Sequence, residues 1–396
     1  MAIRKQYVPH MRRYKREFMK KRLLFVITQF YKGGAESSLL NLFQILDPEK
    51  YEVDFLVLNQ IEYQDATSLI GEIPAWISVF DVVKNKTASF NVEQFIEKVY
   101  RRLFHIQTYG RVASDFVRHK NYDIAISFGE WLSPAFIARK VTAKKKYVWI
   151  HIDLDKADFV NKEELVRYDK DISGYIFASE TSRCSSVERC PQMKEKSMVI
   201  HNFLNRKAIL DKAEEQVSLP CSESGYLLSV GNLRGEKNYP RQIEVMRILK
   251  DKGIPIKWIC VGSTVDKTVY REVMRLLEAY RLQNDFILCG ADNNPYRYMK
   301  RAKAVMVLSD HESWSLVISE AKILGVPVIA TNTSGAKEQI QDGENGIITP
   351  FDASGIADKI ASFLQDLELQ GRIRENLIKE SIDDVGAGEF EHLLEG

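Results

Sequence analysis

From residue 23 onward, short apolar runs alternate with stretches whose apolar residues recur at helical spacing. The first run, LLFVITQF at 23–30, leads through a glycine pair into a pattern that predicts a helix over about 35–46, and then into a second run, YEVDFLVL at 51–58. Near-continuous apolar runs suit strands buried on both faces, and their alternation with helices is the mark of βαβ units in a parallel sheet. Further strands are predicted at 123–127, 147–150, 174–178 and 198–200. A polar stretch at about 205–223 interrupts the series, which then restarts with a strand at 226–230, a loop containing glycines and a helix over about 239–250. Strands at 256–261, 286–288, 304–308 and 326–330 complete this second set. Residues 60–90 give a mixed pattern and are read as loop with short elements.

The predicted class is α/β, with two doubly wound, Rossmann-like domains whose parallel sheets face a central cleft. Residues 23–205 form the first domain and 206–396 the second, the latter ending in C-terminal helices, with a basic arm at 1–22. A chain of 396 residues suits two cores of about 150–200 residues each. In such sheets ligands sit beyond the carboxyl ends of the strands, where a turn feeds a helix N-terminus. Chemistry is therefore sought in those loops.

Charge changes the picture at one end. The total is +2, but residues 1–22 carry nine Arg or Lys against Glu17, net +8, which leaves −6 for the rest. Such an arm on an acidic body suits anionic lipid headgroups, each cation contributing about 1 kcal/mol near the surface; the alternative is a solvated tail ahead of a natural start at Met19. No basic stripe interleaved with aromatics marks the body for nucleic acid. No window reaches about 18 apolar residues, so no transmembrane segment is read. Five cysteines, with no CxxC pair and no histidine spaced to complete a zinc site, fit a reducing compartment. The expected location is cytoplasmic, with peripheral attachment to the membrane's inner face through the arm.

Gly33 and Gly34 follow the first strand directly, and two residues without Cβ let backbone amides approach an anion. The pair lacks the full G-x-G-x-x-G dinucleotide fingerprint, and a tight turn is the plain alternative. The loop SVGNLRGEKN at 229–238 repeats the arrangement in the second domain; its Arg234 and Lys237 could neutralise a diphosphate, and solvated loop charges are the plainer alternative. In the stretch HESWSLVISEAKILGVPVIA at 311–330, Glu312 follows a buried strand and Glu320 lies eight positions on, within the next helix. Both carboxylates reach one cleft, where they suit a hydroxyl-rich ligand, and Gly325 ends the helix. His151 stands at the end of the strand 147–150. Asp153-Leu154-Asp155 matches the three-residue DxD pattern, for which a surface loop is the favoured reading.

Taken together, these pieces resemble glycosyltransferase family 4, a retaining family of GT-B fold, over about residues 22–370. The densest match is 310–346: the Glu312/Glu320 pair, LGVPVIAT at 324–331 and DGENGIIT at 342–349, with GGAES at 33–37 resembling the family's N-terminal glycine loop. The resemblance implies transfer of a hexosyl unit from a nucleotide diphosphate sugar, UDP-sugars first, to a saccharide or lipid-linked saccharide hydroxyl in surface polysaccharide or glycoconjugate synthesis. It implies no metal and no cofactor. Glu320 would hold the donor ribose, Glu312 the transferred sugar, and Trp314, Ser315 and Leu316 the sugar and phosphate. Lys237 would contact the diphosphate, His151 would lie beside the donor sugar, and Leu288 near the base. Two departures stand out: Asn232 occupies a position often held by Arg, and Ser313 and Ser315 replace commoner glycines. The rival readings are a sugar-nucleotide epimerase or a phosphorylase on the same fold, and a non-catalytic saccharide-binding module.

Overall fold

The computed structural model describes residues 20–60, 67–84, 111–130, 132–157, 160–219, 225–264, 266–380 and 386–395. Most of the basic arm, residues 1–19, lies outside them, as do Cys221 and parts of the 60–90 stretch.

Two parallel sheets organise the chain. The first has seven strands in the order β3-β2-β1-β4-β5-β6-β7. These are β1 Lys21–Ile27, β2 Tyr51–Val57, β3 Ser78–Asp81, β4 Asn121–Phe128, β5 Thr142–Ile150, β6 Gly174–Phe177 and β7 Ser197–Val199. The second has six, in the order β10-β9-β8-β11-β12-β13. Its members are β8 Tyr226–Val230, β9 Lys257–Val261, β10 Phe286–Leu288, β11 Ala304–Val307, β12 Val328–Thr331 and β13 Ile347–Thr349. In both, the order reverses beside the first strand, between β1 and β4 and between β8 and β11, which opens a crevice at the carboxyl edge.

Period-two alternation distributes each strand's side chains between two cores. From β1, Leu23, Phe25 and Ile27 pack on one face with helix Gly34–Ile45, while Leu24 and Val26 pack on the other with helix Ala135–Lys140. All five are fully buried, which is why the run is uninterruptedly apolar. The second sheet is likewise covered on both faces, by helices Tyr239–Asp251 and Ala353–Gln365 on one and Leu316–Ile323 on the other.

Three expectations shift. Lys21 and Arg22, read as the end of the arm, already pair with Tyr51 and Glu52 in the β1–β2 ladder; the Arg22 amide donates to Asp123 at 2.8 Å. Strands β3 and β13 are both edge strands of three or four residues, and β3 exposes Ser78 and Val79, so neither carries a long apolar run. The last helix, Ala387–Glu395, was grouped with the second domain but packs in the first core. There Phe390 meets Phe203, Trp149 and Phe25 at ring distances of 5.7, 6.0 and 6.3 Å.

Loops at the carboxyl edges of the two sheets meet. The Lys32 ammonium, after β1, donates to the Asp292 carbonyl and the Asn293 side chain at 3.2 and 3.3 Å. Glu338 accepts from the amides of Glu180 and Thr181 at 3.0 and 2.6 Å, and the rings of His201 and Trp314 lie 4.1 Å apart.

Candidate active site

In the second unit, the loops after β8 and β11 are held as one body. Asn238 adopts a left-handed conformation, φ 45°, and caps helix Tyr239–Asp251 through the Arg241 amide. Its side-chain amide donates to both Asp310 oxygens at 3.2 and 3.0 Å, and Arg241 adds an ion pair to Asp310 at 2.7 Å. Beneath them a buried relay runs from Trp258 Nε1 to Ser229 Oγ (3.0 Å) and from Ser229 to Gln242 (2.7 Å); Gln242 in turn donates to the Lys237 carbonyl (2.8 Å). Gly335 lets the loop seat closely: a Cβ there would collide with the carbonyls of Ser313 and Glu312, and its amide donates to Glu312 O at 2.8 Å. Such backing fixes first-contact groups within the tolerance that catalysis needs.

What this frame presents is a cation and a carboxylate in contact. Lys237 Nζ lies 2.5 Å from Glu312 Oε1, which also accepts from Ser309 Oγ at 2.8 Å. Immediately beyond stand Trp314, half-buried, and Ser315, which precedes helix Leu316–Ile323 without making a side-chain cap bond. The first amides of that helix therefore keep free N–H groups, a ready anion site. Glu320, one oxygen accepting from Tyr296 OH at 3.0 Å, has its carboxyl pushed up to about 7 by burial, opposed by the Tyr296 hydrogen bond and the Lys32 charge. Gly325, φ 68°, ends this helix as expected. Leu288 closes β10, half-buried; Asn232 spends its side chain on the Ser263 amide at 3.1 Å. Arg234 is exposed and makes itself felt on Glu36 of the first unit.

The first unit presents a different chemistry at the matching place. Gly33 precedes helix Gly34–Ile45 in extended backbone, φ −149°, and the Glu36 carboxyl folds over the turn, overlapping the space a Gly33 Cβ would take. Burial pushes that carboxyl up to about 7, against a hydrogen bond from its own amide and the charge of Arg234. His151 lies behind it, stacked parallel to Trp149 (6.0 Å, 4°) and tilted on Phe128 (4.5 Å). Both ring nitrogens are shut off from solvent. Burial holds its pKa down to about 3, so the ring is neutral at physiological pH. The His151 amide donates to Glu130 at 2.9 Å. Asp153, in the DxD triplet, accepts from the Asp155 amide and Ser185 Oγ at 3.1 and 2.6 Å, the wiring of a turn.

The structure thus joins Lys237, Glu312, Trp314, Ser315 and Leu316 at one loop pair, with Glu320 one helix further in. It sets Gly33, Gly34 and His151 on the opposite unit. Sequence reasoning missed Asp310, Asn238, Arg241 and Tyr296, which hold the site, and Glu130. Glu130 stands one glycine beyond a strand, and the strand-end signal that singled out His151 could have found it.

With that geometry in place, two parallel doubly wound sheets meeting at their carboxyl edges are the GT-B architecture. Residues 211–380, which carry the Lys237–Glu312 pair, match the family described as "Glycosyl transferases group 1". The chain is 29% identical over 178 residues to an N-acetylgalactosamine-N,N'-diacetylbacillosaminyl-diphospho-undecaprenol 4-alpha-N-acetylgalactosaminyltransferase of Campylobacter jejuni, 44% of this chain and 46% of that protein. It is 23% identical over 215 residues to N-acetyl-alpha-D-glucosaminyl L-malate synthase of Bacillus anthracis, 53% and 55% of the two chains. The chain thus spans about half the length of these curated relatives. Among solved structures it superposes on Anabaena HepE, determined in complex with UDP and glucose, with a TM-score of 0.68 at 18% identity, covering 94% of this chain and 99% of that one.

Proposed function

We propose that this protein is a retaining glycosyltransferase of the family 4 kind. It moves a hexosyl unit from a UDP-sugar to a hydroxyl of a saccharide or lipid-linked saccharide, without a metal ion. The observation that carries the reading is the Lys237–Glu312 contact of 2.5 Å at the head of the uncapped helix that bears Glu320. In the reaction the bond from the sugar's anomeric carbon to the diphosphate breaks. The acceptor oxygen bonds to that carbon, and its proton passes to the leaving phosphate oxygen. Negative charge grows on the diphosphate, where Lys237, held by Glu312, and the amides following Ser315 would meet it, with exposed Arg234 adding charge. Glu312, steadied by Ser309, holds a hydroxyl of the transferred sugar, and Glu320 holds the ribose. His151, neutral and with both ring nitrogens buried, would stand beside that sugar as an uncharged wall. Support for a UDP-sugar comes from the UDP and glucose in the HepE structure, and for a lipid-linked acceptor from the diphospho-undecaprenol in the Campylobacter protein's name.

The basic arm would hold the enzyme at the membrane's inner face, where such acceptors reside; among the described residues no helix is long and apolar enough to cross a membrane. Nor, among them, do three or more His, Cys, Asp or Glu gather as metal ligands. The test is a binding screen against UDP, GDP, ADP and their sugar conjugates, with EDTA and then with magnesium, followed by NMR of the product's anomeric signal. Selective UDP binding with EDTA present and a product of unchanged anomeric configuration are expected. Binding of none of the nucleotides would leave a saccharide-binding module instead.

A further inference from the structure

One contact between the two units is built around a single side chain. Helix Glu180–Arg189 of the first unit begins after Ser179, whose hydroxyl accepts from the Ser182 amide at 3.2 Å. That cap leaves the amides of Glu180 and Thr181 without a partner inside the helix. The carboxylate of Glu338, arriving from the second unit, takes both, at 3.0 and 2.6 Å. A helix N-terminus favours an anion at this place. The carboxylate of Glu180 itself does not compete, being turned back onto Arg183, whose Nε donates to it at 2.9 Å.

Glu338 stands on helix Ser334–Gln339, and both ends of that helix are fastened to the donor side. At its head the Gly335 amide and the Ser334 hydroxyl donate to the Glu312 carbonyl at 2.8 and 3.2 Å, and Gly335 leaves no room there for a Cβ. At its tail Gln339 accepts from Ser319 Oγ through its side chain (2.8 Å) and from Lys322 Nζ through its carbonyl (2.9 Å), both on the helix that bears Glu320. Between these fastenings Glu338 reaches across to the other unit. On the far flank of the same loop, Trp314 meets His201 of the crossing segment at a ring distance of 4.1 Å. The Glu312 loop is thus gripped across the cleft from two sides. We propose that Glu338 is the latch of the closed cleft and, through the helix that carries it, a positioning residue that sets Glu312 against the transferred sugar. The part concerning the sugar rests on the glycosyl-transfer reading above. Glu338 touches no reacting atom. Lys237 and Glu320 take their hydrogen bonds within the second unit, so the latch bears on the sugar more than on the nucleotide.

Loosening the latch should be felt at Trp314, on the interface, and not at Trp149 or Trp258, which are fully buried in the cores of the first and second units. The full chain is labelled with 5-fluorotryptophan, and the three fluorine NMR signals are assigned from Trp314→Phe, Trp149→Phe and Trp258→Phe. Glu338→Ala should displace the Trp314 signal by more than its linewidth and leave the other two in place. Glu338→Gln, which keeps an acceptor but no charge, should displace it less. Titration calorimetry then compares UDP with UDP-glucose, UDP-galactose, UDP-N-acetylglucosamine and UDP-N-acetylgalactosamine. In Glu338→Ala the affinity of the best-bound conjugate relative to UDP should fall about fivefold or more, with UDP affinity itself kept within about twofold. A Trp314 signal that stays in place would overturn the latch, and so would displacement of Trp149 and Trp258 alongside it, which would mark a general loss of folding. Loss of UDP and conjugate affinity in equal measure, or of neither, would overturn the positioning of Glu312. Failure of wild type to bind any nucleotide would instead sink the transfer reading, and the Trp314 signal would still decide the latch.

Discussion

The turns after β1 and after β8 occupy the same place in sheets of the same strand order, yet one closes on a cation and the other on a carboxyl. After β8 the loop ends on Lys237 and meets a helix with free N-terminal amides. After β1 the equivalent glycine turn is covered by the carboxyl of Glu36, with Glu130 behind it. A shared fold therefore fixes where these turns lie, while a few side chains give one turn a cation and the other a carboxyl. Gly33 and Gly34 alone point to a phosphate; the carboxyl three residues on argues for a different guest.

The comparison can be broken first at the join. Phe390→Ala removes the ring that ties the last helix to Phe203, Trp149 and Phe25, and should cost about 3–5 kcal/mol. A first thermal transition that drops while the second-unit transition holds is expected in calorimetry; a uniform shift would mean that the halves unfold as one. Next, Lys237→Ala should lower kcat about 10²–10³-fold, as loss of one fixed donor to a developing anion does. A similar loss on Glu36→Gln would erase the contrast between the turns. Third, Glu320→Ala should weaken UDP binding by about 1.5–3 kcal/mol at pH 8, measured by titration calorimetry, with the fold intact by circular dichroism. In wild type that affinity should fall as pH drops through about 7 and Glu320 takes up its proton; Glu320→Gln should flatten the dependence.

The smallest effect concerns stability. Burial pushes the Glu130 carboxyl up to about 7, above the ordinary carboxylate value of 4.5. Its protonated form thus favours folding at low pH, and that contribution is lost as pH rises through about 7. The Tm of Glu130→Gln should gain on wild type between pH 5 and pH 8; a constant gap would show that the carboxyl is not held protonated.

How much of this could be read from residues alone follows from burial. Strands such as β1 and β4, covered on both faces, write themselves as apolar runs, so both sheets were legible apart from β3 and β13. Edge strand β3, with Ser78 and Val79 outside, leaves no such run. Glu312, Lys237 and Glu320 stand out in the sequence because strand ends and spacing mark them. Asp310 and Arg241 do not, because holding a loop from beneath depends on which distant loop arrives there. The pattern of helix Ala387–Glu395 says that one face is apolar, but nothing in it says which core receives that face.

That last helix has a mechanical consequence. The chain passes from the first unit to the second through residues 200–206 and must return before Ala387, so two separate crossings join the halves. A body tethered at one point can tumble in any direction, whereas one tethered at two swings about the line through them. Two tethers limit the relative orientations of the halves to rotation about that line, and the contacts of Lys32 with Asn293 and of Trp314 with His201 fix one of them.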